Sequence, residues 1–210
     1  MGHKIKDFSI IEQIMTRRVM KIGYICPLNS RDMDKQSLEQ TRMACARGQK
    51  RGLHFIMASV VIWAMVFIVH ITKLPIETKN LLTFCCTCPL MPLAWMLSKP
   101  LGITFNDKEN PLSPLGIVLS CAQLPYLLIV MWVYAAMPDK MVMVLAMVFG
   151  AHLLPFGWLY RSRAYYIMSA VVTLGALIVG LIYPPHILAL CMVVVEIVFC
   201  LLLYAENKSK

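Results

Sequence analysis

The stretch that decides the fold is residues 186–205, HILALCMVVVEIVFCLLLYA, which is apolar at almost every position except Glu196. About 20 apolar residues in a helix match the roughly 30 Å hydrocarbon core of a lipid bilayer. A helix is required there because lipid offers no partner to an unpaired backbone group. The stretch therefore predicts a transmembrane helix that carries one acidic side chain at its centre.

Five more apolar blocks precede this one, in a chain of 210 residues that is 59% hydrophobic and 15% charged. Soluble domains contain about 45–50% apolar and about 25% charged residues, so this composition is typical of a membrane protein. The connecting loops are short, which favours antiparallel neighbours. We therefore predict an all-α fold, an up-and-down bundle of six transmembrane helices within a domain of residues 53–205. The spans are predicted at 53–71, 81–97, 115–137, 141–159, 164–182 and 187–204.

Lysine and arginine predict the orientation of the bundle. With the N-terminus in the cytoplasm, 17 of these residues lie inside, and Lys73, Lys79 and Lys140 lie outside. Cytoplasmic loops carry an excess of Lys and Arg, so both termini are expected inside, with 206–210 as a short cytoplasmic tail. Topology also explains the net charge of +9, and no nucleic-acid partner is expected.

The N-terminal segment 1–52 holds 11 of the 20 Lys and Arg residues. Residues 5–22 place apolar side chains on one helical face and basic ones on the other, which predicts a helix lying on anionic lipid. Alternatively, translation starts at Met33, and residues 1–32 are an extension that results from a wrongly assigned start codon. The sequence SLEQ from Ser37 predicts a capping box at the start of a second helix that runs toward Gly48. Arg47, Lys50 and Arg51 then mark the membrane edge.

Glu196 lies too deep in its span for a side chain of its length to reach the membrane edge. An acidic residue at a helix centre costs about 2.5–3.5 kcal/mol on insertion scales, and such residues usually face the bundle interior. One interpretation is a carboxylate that binds a proton or cation. The alternative is a protonated glutamic acid that only bonds to a neighbouring helix as part of the packing.

Three other polar residues are expected at the depth of Glu196. His152 and Gln123 are each eight residues from the cytoplasmic edge of their spans, as Glu196 is, which corresponds to about 12 Å. Thr173 lies at a similar level. A histidine beside a glutamate suits a proton relay, so His152 is the candidate partner, with Gln123 and Thr173 as auxiliary ligands. His152 could instead be a core imidazole bonded to a carbonyl.

Prolines cluster near the same level and predict helix irregularity. Broken helices beside a mid-membrane site are a feature of secondary transporters, because the interrupted backbone frees polar groups. The alternative is that the kinks are merely tolerated by packing. These prolines are Pro89, Pro92, Pro125 and Pro155.

A metal or cofactor is not expected. Cys85 and Cys88 share a helix face, but Cys86 points elsewhere, and cysteine is also a small packing residue in membranes. No hydrolase, metalloprotease or nucleotide-binding motif is present, so an enzyme is not predicted. Small residues at 169, 173, 176 and 180 predict instead that the fifth span packs closely against another helix.

Three stretches carry a resemblance to a known family: LMPLAWMLSK at 90–99, KENPLSPLG at 108–116 and HLLPFGWLYRSRAYY at 152–166. Together they resemble an uncharacterised family of small bacterial integral membrane proteins, over residues 33–204. The resemblance implies several membrane helices in a bacterial cytoplasmic (inner) membrane and no particular activity.

Two functions follow as hypotheses. The first is a small proton-linked transporter or permease-like protein in which Glu196 takes up the proton. The second is a non-transporting scaffold, sensor or stress-response protein, in which the basic N-terminal segment binds lipid or a partner and Glu196 only packs. A bundle of this size offers little interior, so a homodimer is expected in either case.

Overall fold

The computed structural model describes residues 35–103 and 110–208, and every secondary-structure element in these ranges is helical. The described residues from Gln40 onward form one compact unit, and the described residues 35–39 belong to a second. The amphipathic helix predicted at 5–22 and the extension at 1–32 lie outside the described residues.

Within the described ranges, six helices are long and apolar enough to cross a membrane, which confirms the predicted number. All six exceed their predicted bounds at one end or both, because polar residues at their ends continue the helical backbone. The first to sixth spans are Lys50–Ile71, Ile76–Ser98, Ser113–Ala136, Pro138–Leu159, Arg163–Ile182 and Pro185–Lys208.

The second, third and fourth spans are each interrupted beside a proline. Proline lacks the N–H that bonds four residues back, so the helix breaks within a turn before it. The helical segments are Ile76–Thr87 and Leu90–Ser98, Ser113–Cys121 and Gln123–Ala136, and Met141–His152 and Leu154–Leu159. The interruptions lie next to Pro89, Pro125 and Pro155, and Pro92 lies inside the second segment of its span.

The first, fifth and sixth spans contain the uninterrupted helices Leu53–Ile71, Arg163–Ile182 and Pro185–Lys208. Short 3₁₀ turns, Lys50–Gly52 and Pro138–Lys140, open the first and fourth spans. An N-terminal helix, Lys35–Gly48, precedes them. It ends where predicted, but it includes Lys35, so Ser37 is not its N-cap and the capping-box start was wrong.

Two helix pairs make the most extensive contacts: the sixth span with the first, and the fifth with the fourth. The small-residue stripe of the fifth span forms the second of these interfaces, as expected. A Cβ on Gly150 of the fourth span would lie 2.6 Å from the Thr173 hydroxyl, and one on Gly180 would lie 2.4 Å from Met143. Outward-facing apolar side chains remain highly exposed, Trp132 at 68% for example, which suits a surface covered by lipid.

A polar cluster joins the start of the first span to the end of the sixth. The Arg51 guanidinium donates to the Glu206 backbone carbonyl at 2.9 Å and to Asn207 Oδ1 at 2.7 Å, and the Glu206 carboxylate lies 3.6 Å from its Nε. That carboxylate also accepts from Ser162 Oγ at 2.6 Å and from the Ala164 N–H at 3.2 Å. Arg51, expected at the membrane edge, is therefore buried in an ion pair that we call the Arg51–Glu206 cluster.

Candidate functional site

Glu196 lies on the face of the sixth span that packs against the first span, and its side chain is completely buried. Its Oε2 lies 2.5 Å from the hydroxyl oxygen of Ser59, on the first span. Its Oε1 has no hydrogen-bond partner among the described residues. The central carboxyl therefore depends on one neighbour, and that neighbour is a serine.

The Ser59 hydroxyl has two acceptors within reach and only one proton. It lies 2.8 Å from the Ile56 carbonyl in its own helix as well as 2.5 Å from Glu196 Oε2. If Ser59 donates to Ile56, Glu196 must be a neutral acid that donates to Ser59. If Glu196 is ionised, Ser59 must turn its proton toward the carboxylate. The same heavy atoms therefore accommodate both protonation states through rotation of one O–H bond.

The surroundings of Glu196 favour the neutral acid. No basic side chain of the described residues forms an ion pair with it, and Oε1 would keep its charge without a donor. A buried charge without a partner is expensive, whereas the neutral acid loses little by donating to a hydroxyl.

Ser59 also lines a cavity of about 50 Å³. The other polar side chains in its wall are Gln123 of the third span and Thr87 of the second, and the remainder is apolar, including Trp63 and Phe149. A water molecule needs about 10–15 Å³ of this kind of volume, so the cavity has room for a few waters and none for a typical organic solute. Ser59 thus contacts both the Glu196 carboxyl and this small cavity.

Part of the cavity wall lies next to two of the proline interruptions. Thr87 and Leu90 flank the interruption before Pro89, and Gln123 directly follows the interruption at Ala122. Pro89 and Pro125 therefore lie close in sequence to residues that line the cavity.

The structure does not join His152 to Glu196. The His152 ring lies beside the Leu119 backbone and edge-on to Phe156 at 5.1 Å, and no hydrogen bond joins it to Glu196. The partner of Glu196 is Ser59, not His152.

Thr173 likewise packs against a neighbouring helix, the fourth span. It lies against the backbone of Gly150, and its hydroxyl has no hydrogen-bond partner among the described residues. Of the four residues predicted from depth, Glu196 and Gln123 are brought to the same part of the bundle, with Ser59 between them.

Ser59 carried a weak signal in the sequence. It lies six residues into the predicted first span, at a depth close to that of Glu196. A serine within a helix commonly bonds to a carbonyl of its own previous turn and needs no other partner, so its presence in a span says little by itself. Only the contact between the first and sixth spans distinguishes Ser59 from other buried serines.

A metal site is not indicated by the described residues. In that part of the chain, no three His, Cys, Asp or Glu side chains lie close enough together to hold an ion.

Comparison with known proteins finds a family for this chain. The model of a family of unknown function, DUF7010, matches residues 38–206, which is most of the chain. No curated protein matches the chain, and no solved structure matches it. The matched region includes Ser59, Gln123 and Glu196.

Proposed function

We propose that this chain, which belongs to the family of unknown function DUF7010, is a membrane protein that binds and transfers a proton at Glu196, as a small proton-linked transporter or permease-like protein. The observation that supports this is the buried carboxyl bonded to Ser59, a hydroxyl that also lines an internal cavity. Ser59 can change its donor direction without moving, so the carboxyl can hold or release a proton in place. The small volume of the cavity excludes a ligand of the size of a typical organic solute.

The proposed orientation places both ends of the bundle in the cytoplasm of a bacterial cell, with the spans in its inner membrane. The excess of Lys and Arg on one side supports this topology. The Arg51–Glu206 cluster agrees with it, because the start of the first span and the end of the sixth meet there.

Cysteine labelling tests the orientation. A cysteine in place of the exposed Asp139, beside Lys140, should react with a membrane-impermeant maleimide on intact cells, relative to the parent chain with its native cysteines. Labelling that appears only after the cells are permeabilised would overturn the topology.

Proton transfer is tested in liposomes that contain an internal pH dye and face an imposed pH gradient. Wild type should dissipate the gradient, and Glu196→Gln should not, because glutamine keeps the hydrogen bond to Ser59 but cannot titrate. The matched control is Glu77→Gln, the same chemical change at an exposed position at the start of the second span, which should behave as wild type.

The scaffold or sensor remains the second candidate, favoured by the direct bond that satisfies Glu196 Oε2 without any water. Equal dissipation by wild type and Glu196→Gln, or none by either with equal thermal midpoints, would favour it over transport.

The homodimer stays a prediction. Cys85, Cys88 and Cys121 are exposed on the second and third spans, the two least buried of the bundle. Oxidative cross-linking in membranes should yield a dimer through these residues, and a product that stays monomeric at full oxidation would contradict the expectation.

A further inference from the structure

A second cavity, of about 20 Å³, lies near the Arg51–Glu206 end of the bundle. Its wall includes four polar side chains: Gln49, which precedes the first span, Ser113 and Ser120 of the third span, and Tyr160, which follows the fourth. This volume exceeds the 10–15 Å³ or so that one water molecule needs. The cavity is therefore large enough for a single water.

The polar groups in this wall leave hydrogen-bonding capacity unused. Ser113 is 2% exposed, and its hydroxyl has no hydrogen-bond partner among the described residues. Tyr160 donates its proton to Gln49 Oε1 at 2.6 Å, and burial raises the pKa of the phenol above its ordinary value, so that proton stays in place. The Tyr160 phenol oxygen can still accept a hydrogen bond from a bound water, and the Gln49 NH₂ group can still donate one to it.

The third span connects the two cavities. Ser113, Gly116 and Ser120 line the second cavity, and Gln123 lines the one beside Ser59. Their spacing of three, four and three residues places all four on one side of the helix, over about 15 Å. Along this edge the side chains are small or polar, and Gln123 is long enough to reach beyond its own turn.

We propose that protons reach Glu196 along this edge of the third span, from Ser113 to Gln123. The 20 Å³ cavity binds the water molecule at which this route begins. The water is held by Ser113, Tyr160 and Gln49. A proton passes from this water to the larger cavity along water molecules that accept from the Gln123 NH₂ group or donate to the Ser120 hydroxyl oxygen. The Ser59 hydroxyl then accepts the proton on its oxygen and gives its own proton to the carboxylate. The inference rests on the proposed function, since it assigns a path to the same proton.

Gly116 allows a test with the smallest possible change. A Cβ there would meet the Leu159 side chain at 3.5 Å, Gln49 Oε1 at 3.9 Å and the Tyr160 hydroxyl at 4.0 Å, which are ordinary contacts. Alanine therefore fits without strain, but its methyl group takes the space of the water. Alanine is also a better helix former than glycine, so Gly116→Ala should not lower the thermal midpoint.

The readout is hydrogen–deuterium exchange of the Glu196 carboxyl, followed by infrared spectroscopy of the protein in liposomes after a switch to D₂O. The carboxylic acid band of Glu196 is the one that disappears in Glu196→Gln. Gly116→Ala should slow its exchange by about tenfold, which corresponds to ~1.4 kcal/mol on the barrier. The matched control is Gly175→Ala on the fifth span, where a Cβ would meet nothing within 4 Å, and it should exchange at the wild-type rate.

Ser113→Ala is the second variant, because it removes the polar anchor and leaves the space, and it should also slow the exchange. Exchange at the wild-type rate in both Gly116→Ala and Ser113→Ala would overturn the route while leaving the proposed function standing. The absence of any carboxylic acid band that depends on Glu196 would overturn the function and the route together.

Discussion

The hydroxyl of Ser59 is shared between two acceptors, and this sharing gives Glu196 its chemistry. A carboxyl bonded to a basic residue would be held in its ionised form, whereas one bonded to a serine can exist in either form. When a neutral Glu196 donates to Ser59, the Ser59 hydroxyl donates instead to the second acceptor, the Ile56 carbonyl. The pair is therefore a proton-binding site without a permanent charge.

Ser59→Ala leaves the Glu196 carboxyl without its only hydrogen-bond partner among the described residues. Hydrogen bonds between membrane helices contribute about 0.6–1.7 kcal/mol, so we expect a loss of about 1 kcal/mol in the free energy of unfolding. Ser98→Ala is the matched control, because the buried Ser98 hydroxyl bonds to the Trp95 carbonyl of its own helix. Unfolding in detergent should show the larger loss for Ser59→Ala, and equal losses would mean that the bond to Glu196 contributes nothing.

Interrupted and uninterrupted helices have different roles in the bundle. The first and sixth spans, which hold Ser59 and Glu196, have continuous α-helices through the site, and this keeps the two side chains in register. The second and third spans are interrupted beside Pro89 and Pro125, and their irregular segments form one side of the cavity. Uninterrupted helices therefore carry the acid and its partner, and the interrupted second and third spans contribute Thr87, Leu90 and Gln123 to the cavity wall.

The interface between the fourth and fifth spans depends on glycine at 150. An alanine Cβ there would lie 2.8 Å from the Thr173 backbone nitrogen, and backbone cannot move aside as a side chain can. We expect Gly150→Ala to lower the free energy of unfolding by about 1–3 kcal/mol, as overpacking does. Gly175→Ala, in open space, should raise it by up to about 1 kcal/mol through helix propensity. Changes of the same sign in the two variants would contradict this account of the interface.

The Arg51–Glu206 cluster ties distant parts of the chain together. Lys50, Arg51 and Gly52 have φ values of 45°, 52° and 70°, a left-handed turn that costs about 1–2 kcal/mol for each residue other than glycine. The hydrogen bonds of Arg51 to the end of the sixth span, and that of the Tyr165 hydroxyl to the Arg51 carbonyl at 2.8 Å, hold this turn. Glu206 also satisfies the Ala164 N–H, one of the unbonded amides at the start of the fifth span.

Glu206→Ala should therefore loosen three spans at once. The change removes the ion pair with Arg51 and the bonds from Ser162 and Ala164, and leaves Arg51 buried without its counter-ion. We expect a loss of about 1–3 kcal/mol in the free energy of unfolding, measured by thermal unfolding in detergent. Glu77→Ala, at an exposed position, should change the midpoint little. Equal midpoints for the two variants would show that the cluster does not support the bundle.

Much of the fold could be predicted because it depends on which residues follow one another along the chain. The length of each apolar block predicts a span, and each proline that interrupts a helix acts on its own neighbours in sequence. The central position of Glu196 follows from counting residues in its block. These inferences require no knowledge of which helices touch.

The composition of the site could not be predicted in the same way. Their equal depth in the membrane predicted His152 and Thr173 beside Glu196. Depth, however, determines neither how each helix is rotated about its axis nor which helix is its neighbour. In the structure, His152 lies beside Leu119 and Phe156, and Thr173 lies against Gly150. Ser59 meets Glu196 because the sixth span packs on the first.

The amino-acid sequence alone was enough to establish the six membrane helices, the places where three of them break, and the acid at the centre of the last. The partner of that acid, the cavity beside it and the burial of Arg51 were decided by the tertiary structure. The reason is that a lipid-spanning helix is specified by the hydrophobicity of its own residues, whereas a contact between helices depends on how small and bulky side chains fit across the interface.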